Sequence, residues 1–432
     1  MRTTRVARRV HWKLFFFVLL LAAAVLLVES KAFAGKQQFA RIRPLKVFDY
    51  SAPDQQAEKA SAGEQEPADT GRLKEEIKQE VLEELKTGEA GLRKLSKLAE
   101  RFEMGLLLEF GGVWEDVEMD DGTSEDRSNF AMTTVELAMG VQPVDWISGE
   151  AIFLYEDPTF DEETNVDIDV GTITIGNTER FPLYTTGGVM YVPFGALYTH
   201  FPDDPLVDLP LTLVLGETRE EALLVGFEYR GASVSAYAFN EDLDKADEHS
   251  HSHIESYGFD AHYTWAAEKE GGLAWTVGAS YISNIADSDG VTDVLKEKGI
   301  EELEDYVGGF DVYLHLELAG AFFLAEYMSA TEEFDPAELE EDGDGARPAV
   351  WNFEAGYNWN WWRNLEICLK YAGSDEGVAL GLPEHRTGLN FNQELYDGVV
   401  FSLGYLYDHY EDYGPEDRDH RNLVFGQVAL EL

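Results

Sequence analysis

Residues 399–408 have the sequence VVFSLGYLYD, in which large apolar residues occupy every second position. Phe401, Leu403 and Tyr405 therefore share one face of an extended chain, and the small residues between them share the other. The stretch WNFEAGYNWN at residues 351–360 alternates in the same way. Segments of this kind recur to the end of the chain, each roughly the length that a tilted strand needs to cross a bilayer. The pattern predicts strands with one apolar, aromatic-rich face.

The first 34 residues predict export. A basic start is followed by the apolar run Leu14–Val28 and by Ala32-Phe33-Ala34, the pattern of a secretory signal with its cleavage site. That run is short for a spanning helix, and no later stretch is apolar enough to be one. Only helices and closed barrels satisfy the backbone in lipid, so the strands predict an all-β transmembrane antiparallel barrel in the bacterial outer membrane.

The strand pattern predicts about sixteen strands. Residues 209–217 are either a further strand or a loop folded inward, and counting them as a loop leaves an even number, as bacterial barrels have. Such a barrel encloses an aqueous channel. Long acidic connections at 116–128, 286–306, 331–347 and 411–419 are predicted outside, with a helix within 292–305. The predicted strands are 104–115, 129–141, 147–157, 166–176, 183–193, 222–230, 232–240, 254–266, 272–284, 308–318, 320–329, 349–361, 363–372, 385–394, 398–410 and 421–432.

Three segments precede the barrel, which we place at residues 103–432. Residues 1–34 are the signal peptide, and residues 35–70 lack periodicity and predict a flexible periplasmic linker. Residues 71–102 predict a periplasmic amphipathic helix, because apolar residues recur at i+3 and i+4. Two interpretations stay open: a short coiled coil that sets a homo-oligomer or contacts the cell wall, and a helix lying against the barrel mouth.

The chain is strongly acidic. Its formal net charge is −50, and because residues 1–34 contribute +5, the remainder carries −55. This excess excludes a general nucleic-acid-binding role and favours cations, or divalent ions that bridge surface acids. The single cysteine, Cys368, excludes an internal disulfide framework, and its position in the alternation places it on the lumen side.

The polar face of the strands predicts the lining of the lumen. Solvation alone is the simpler explanation for any one polar residue, but the set as a whole predicts a cation preference, because rings of carboxylates select cations. The residues on this face are Glu109, Glu136, Glu228, Arg230, Asp260, His262, Asp311, His315, Glu317, Glu326, Glu354, Lys370 and Asp408.

Two further sites are suggested by local sequence. A loop folded inward after residues 191–195 would place Glu217, Thr218 and Arg219 on a binding rim; alternatively, the glycines nearby only make turns. His249, His251 and His253 are spaced for a metal, but in a surface loop a solvated role is the simpler interpretation. No hydrolase, zinc-protease or phosphate-loop motif is present, so no enzyme activity and no cofactor are predicted.

Several segments carry a family resemblance. They are GNTERFPLYTTGGVMYVPFG at 176–195, LGETREEALLVGFEY at 215–229, GGFDVYLHLELAGAFFLAEY at 308–327, ARPAVWNFEAGY at 346–357, YAGSDE at 371–376 and LPEHRTGLNF at 382–391. In order and spacing, over roughly residues 104–432, they resemble the LbtU-type siderophore porins, outer-membrane barrels related to the legiobactin receptor.

The resemblance implies a barrel that imports a ferric siderophore without a separate plug domain. The residues before the first strand agree, since they predict a linker and a helix and not a globular plug. Two alternatives remain: a general cation-selective diffusion porin, and a structural tether between outer membrane and cell wall. The expected partners are outer-membrane lipid and lipopolysaccharide, a small-molecule solute, and further copies of the chain.

Overall fold

The computed structural model describes most of the chain after residue 100. The signal peptide, the linker and nearly all of the predicted amphipathic helix lie outside the described residues, as do His249, His251 and His253. The tether and the coiled coil therefore stay predictions. The described ranges are 101–157, 165–201, 210–245, 254–269, 271–411 and 418–432.

Sixteen antiparallel strands form a closed barrel, which confirms the predicted architecture. The first strand pairs with both the second and the last, so the sheet has no free edge. The strands are β1 (Phe102–Met119), β2 (Ser124–Val144), β3 (Ile147–Glu156), β4 (Asn165–Asn177), β5 (Phe181–Tyr191), β6 (Arg219–Tyr229), β7 (Ala232–Phe239), β8 (Ser256–Ala266), β9 (Ala274–Ile282), β10 (Gly309–Leu318), β11 (Ala321–Ala330), β12 (Ala349–Trp359), β13 (Leu365–Asp375), β14 (His385–Tyr396), β15 (Val399–His409) and β16 (Arg418–Glu431).

The two faces of the strands are as the alternation predicts. On β15, Phe401, Leu403 and Tyr405 are exposed on the outer surface, whereas Leu406 and Asp408 are buried inside. A continuous apolar and aromatic outer surface suits a barrel that faces lipid. In the part of the chain that the structure describes, no helix has both the length and the apolar character to span a membrane.

The first hairpin is longer than expected. The sequence predicts a long acidic loop over residues 116–128, but β1 continues to Met119 and β2 begins at Ser124, leaving only a four-residue turn. The backbone ladder does not need apolar side chains, so it persists where both faces meet water. Polarity there marks where the strands leave the apolar outer surface, not where they end.

Part of the lumen is filled by segments that fold inward, as in the inward alternative for residues 209–217. Residues 209–217 contain the short helix α1 (Leu211–Gly216), and the β9–β10 connection contains α2 (Asp289–Glu297), within the predicted outer loop. The two helices pack together with side chains of the inner wall as one buried apolar group, here called the interior cluster. Fully buried members include Phe194, Leu215, Ile285, Val291, Leu295 and Leu303. The cluster fills the outer part of the lumen beside β6–β13.

Candidate functional site

A segment between β5 and α1 crosses the inside of the barrel. We call residues 192–201 the inward loop. It leaves the wall where the Val192 amide donates to the Thr218 carbonyl at 3.0 Å. The Gly195 amide then donates to Ser280 Oγ on β9 at 2.8 Å. Gly195 has a φ of +83°, a left-handed conformation that favours glycine, and this turn directs the loop across the lumen.

Glu326 on β11 holds the middle of the inward loop. Its Oε1 accepts the backbone amides of Ala196 at 2.6 Å and Leu197 at 3.0 Å, and it also interacts with the Thr212 hydroxyl of α1. The side chain is almost fully buried. Buried amides that are not in a ladder need an acceptor, and a carboxylate oxygen supplies one. Glu326 therefore binds the loop and α1 together.

Glu354 on β12 holds the far end of the inward loop. One oxygen accepts the Thr199 hydroxyl, and the other accepts the His200 amide at 2.6 Å. On the neighbouring strand β13, Lys370 Nζ lies 3.6 Å from Glu354, and neither side chain is exposed. The Lys370 ammonium also lies 4.7 Å from the ring centre of Phe201. A buried ion pair thus forms the base of the loop attachment.

His200 is a partly buried titratable group of the inward loop. Its ring stacks on Phe322 with centroids 3.5 Å apart, and its Nδ1 lies 3.5 Å from Glu366. Burial opposes protonation, but the hydrogen bond to Glu366 and the charges of Glu366 and Glu354 raise the pKa of His200 above its ordinary value. The contact with Glu366 adds a side-chain attachment to the backbone hydrogen bonds of the loop.

The wall formed by β14–β16, β1 and β2 carries a group that the sequence analysis missed. Arg386 on β14 contacts Asp408 at 2.7 and 3.0 Å, and Arg421 on β16 contacts the same carboxylate at 2.5 Å. Arg421 also lies 3.2 Å from Glu115, which Arg127 contacts from β2. We call these five residues the arginine ladder. The three arginines occupy lumen-facing positions of the alternation, and that is the signal that would have located them.

The outer connection, which is the segment between β9 and β10, lies over α1. Asp287, at the end of the 3-10 turn Ile285–Asp287, accepts from Ser256 Oγ and Asn284 Nδ2, each at 3.0 Å. Burial raises the pKa of Asp287 to about 7 despite these hydrogen bonds, so the side chain is about half protonated at neutral pH. Burial also raises the pKa of Asp289 to about 6. These contacts fix the outer connection against β6–β8.

The predicted rim residues lie at the outer edge of the wall and not at the deepest point of the inward loop. The Glu217 carbonyl accepts the Asp289 amide at 2.8 Å, and Thr218 is buried. Arg219 begins β6 and contacts Asp167 on β4 at 2.9 Å. The three residues therefore join the end of the α1 segment to the barrel mouth.

The structure distributes the predicted lumen residues over four regions. Arg230 departs from the prediction: it lies in the two-residue β6–β7 turn with a φ of +50°, over the Tyr229 ring, because β6 ends one residue earlier than expected. Glu228, just before that turn, is exposed. Cys368 is buried on the lumen side, as predicted. The residues near the inward loop are Asp260, Asp311, His315, Glu317, Glu326, Glu354 and Lys370, and His262 lies beside them, 2.8 Å from Asp260. Glu109 and Glu136 lie on the β1–β2 wall. Asp408 belongs to the arginine ladder.

The closed sixteen-stranded barrel is that of the outer-membrane porins. It is similar to OprB of Pseudomonas putida, with a TM-score of 0.54, 9% identity, and 79% of this chain and 97% of that one covered. An anion-selective porin from Comamonas acidovorans gives a TM-score of 0.52 at 10% identity, covering 77% and 99% of the two chains. At these identities the likeness concerns the fold alone.

One curated relative is a UPF0422 protein of Coxiella burnetii. It is 29% identical over 288 residues, which cover 65% of this chain and 59% of that protein. A second relative, from Legionella pneumophila strain Lens, is matched over 47% of its length, so this chain spans about half the length of such relatives. No family model matches the chain.

Proposed function

We propose that this chain is a selective outer-membrane uptake channel whose solute is a ferric siderophore. The observation that carries the proposal is the inward loop, which Glu326 and Glu354 bind across the lumen. Together with the interior cluster, it occupies the lumen beside β6–β13, so the solute would pass on the β2–β5 side. There, inward residues such as Glu136, Glu150 and Thr172 stay half-buried at the lumen surface. The barrel thus supplies its own constriction and has no need of a plug domain.

The arginine ladder supports an anionic or chelated solute. Its side chains reach the lumen surface at the outer mouth, with side-chain exposures of 52% for Arg127 and 18% for Arg421. Guanidinium groups are suited to carboxylates and other planar anions. They offset the repulsion that an acidic chain exerts on an anionic ferric complex. The resemblance to the LbtU-type siderophore porins points to the same solute class.

Iron-limited growth tests this function. A strain of the native host that lacks the chain should grow poorly when a ferric siderophore is the only iron source, and it should take up the radiolabelled complex slowly. Excess inorganic iron should restore growth, because that iron does not depend on the channel. Growth of the deletion strain at the parental rate on the siderophore would contradict the proposal.

A second candidate is cation-selective diffusion through the same passage. The specific observation is that Glu136 and Glu150 lie close enough on the inner wall to interact electrostatically. Asp408 and Glu354, by contrast, are compensated by basic neighbours. Carboxylates at a narrow, low-dielectric wall concentrate counter-cations. Any cation preference should therefore depend on this pair more than on the other acids of the wall.

Replacing Glu136 and Glu150 with glutamine should reduce the cation preference, since two charges leave the passage with little change in shape. The measurement is the reversal potential in planar bilayers under a KCl gradient, and the preference should weaken as salt rises. Glu118→Gln, on the outer face at the rim, is the matched control and should leave selectivity unchanged. Equal reversal potentials for the double variant and the unmodified protein would exclude this pair as the selectivity element.

A further inference from the structure

The lipid-facing surface of β7–β12 contains a shallow groove whose lining is almost wholly apolar. Its volume is about 730 Å³, which lies within the roughly 300–1,000 Å³ of ordinary small-molecule sites. Ala261 on β8 is directly opposite Ala279 on β9, and both side chains are exposed at the floor of the groove. The larger side chains of Tyr263, Tyr327 and Phe353 stand around this floor. The groove is therefore a depression in the outside of the wall, separate from the lumen.

One end of the groove approaches a short turn of the barrel. Val234 on β7 belongs to the lining, and Arg230 in the β6–β7 turn precedes it by four residues. Four residues of a strand span at most about 13 Å, which is less than the half-thickness of a bilayer core, about 15 Å. The short turns of outer-membrane barrels face the periplasm. A lipid of the periplasmic leaflet can thus reach from this turn into the groove.

Two tyrosines flank the entry to the groove. Tyr229 at the end of β6 is directly opposite Ala232, and Ala232 is directly opposite Tyr263. Neighbouring strands lie about 4.8 Å apart, so the two tyrosines stand about 10 Å from each other with only a methyl group between them. Both rings are exposed on the lipid-facing surface. Tyrosines at such a level have an apolar ring for the acyl chain and a hydroxyl for the head group.

Arg230 supplies a positive charge at this entry. It and Gly231 both have positive φ, as in the common two-residue hairpin turn, and the Arg230 guanidinium lies 5.0 Å from the ring centre of the lipid-facing Tyr229. Arg230 forms no ion pair with the described residues, although the chain has 83 Asp and Glu against 33 Lys and Arg. A guanidinium that stays unpaired in so acidic a chain is suited to an external phosphate.

We propose that this groove binds one anionic phospholipid of the periplasmic leaflet, with its phosphate at Arg230 and an acyl chain over Ala261 and Ala279. The occupant is a lipid because the groove is continuous with the lipid-facing wall and ends at an unpaired cation. Apolar contact alone gives little preference inside a bilayer, since lipid tails are as apolar as the wall itself. The groove therefore contributes shape, and Arg230 contributes the preference for an anionic head group.

Native mass spectrometry of the full chain in detergent, titrated with dioleoylphosphatidylglycerol, tests the proposal. One lipid should stay bound per chain, and its Kd should be about fivefold lower than that of dioleoylphosphatidylcholine, the factor that one arginine contributes near a head group. Arg230→Ala should raise the Kd of the phosphatidylglycerol about fivefold and so remove the difference between the two lipids. Ala261→Trp combined with Ala279→Trp fills the groove and should abolish the binding of both.

Arg180→Ala is the matched control. Arg180 also lies at a short turn, between β4 and β5, but it already pairs with Asp145 at 2.8 Å and is remote from the groove, so its loss should leave both Kd values unchanged. Heat-dependent gel mobility shows that each variant is a folded barrel. Equal Kd values for the two lipids, or unchanged binding in Arg230→Ala or in the tryptophan variant, would overturn the proposal. A lipid-free dimer that the tryptophan variant dissociates would also overturn it and assign the groove to a second copy of the chain.

Discussion

Replacing Glu326 with alanine is expected to raise the single-channel conductance severalfold. The substitution removes the acceptor of the Ala196 and Leu197 amides and of the Thr212 hydroxyl. Hydrogen bonds to a charged group contribute about 1.5–3 kcal/mol each, so losing three weakens the attachment of the inward loop by several kcal/mol. A change of about 5 kcal/mol is enough to convert a nearly always closed state into a nearly always open one. Planar-bilayer recording at fixed salt measures the effect.

The control for this prediction is Glu326→Gln. Its amide oxygen still accepts the loop amides, although without the charge, so the conductance should stay close to that of the unmodified protein. Uptake of a large dye into liposomes should rank the variants in the same way: the alanine variant should admit the dye, and the glutamine variant and the unmodified protein should exclude it. If the alanine variant conducts like the unmodified protein, Glu326 does not hold the constriction closed.

The wall of the barrel was predictable from sequence because lipid imposes a strict condition on it. Every strand must show apolar side chains on one face, and the period of two then assigns the other face to the lumen. For this reason the assignment of Cys368 to the interior agrees with its burial in the structure. The same reasoning ended the strands too early at Asp116 and Arg127, because strands that extend beyond the apolar surface carry polar side chains on both faces.

The contacts inside the barrel were harder to predict from sequence than the wall. Glu326 and Glu354 were placed in the lumen, but nothing in the local pattern shows that they bind the backbone of residues about 130 and 154 positions earlier. Such contacts depend on the closure of the barrel, which brings distant strands together. The compensation of Asp408 by two arginines from neighbouring strands was missed for the same reason.

Removing one partner of the buried pair of Glu354 and Lys370 should cause a large loss of barrel stability. Glu354→Gln leaves the Lys370 ammonium buried without that carboxylate, and breaking a buried pair in this way typically reduces the free energy of unfolding by about 3–5 kcal/mol. Urea unfolding followed by tryptophan fluorescence in lipid vesicles measures the loss. Lys370→Met should reduce the free energy of unfolding by less, because Glu354 keeps the hydrogen bonds from Thr199 and His200.

The double variant Glu354→Gln with Lys370→Met distinguishes an ion pair from two independent side chains. Removing both charges takes away the penalty that each single variant leaves, so most of the lost stability should return. The glutamine oxygen still accepts the His200 amide, and the methionine fills the space of the lysine stem beside Phe201. If the losses in the free energy of unfolding of the two single variants simply add in the double variant, the 3.6 Å contact contributes no coupling energy. In that case the inward loop would be held by its hydrogen bonds and not by the charge pair. The conductance of Glu326→Gln would then test directly whether a neutral acceptor is enough to hold the loop.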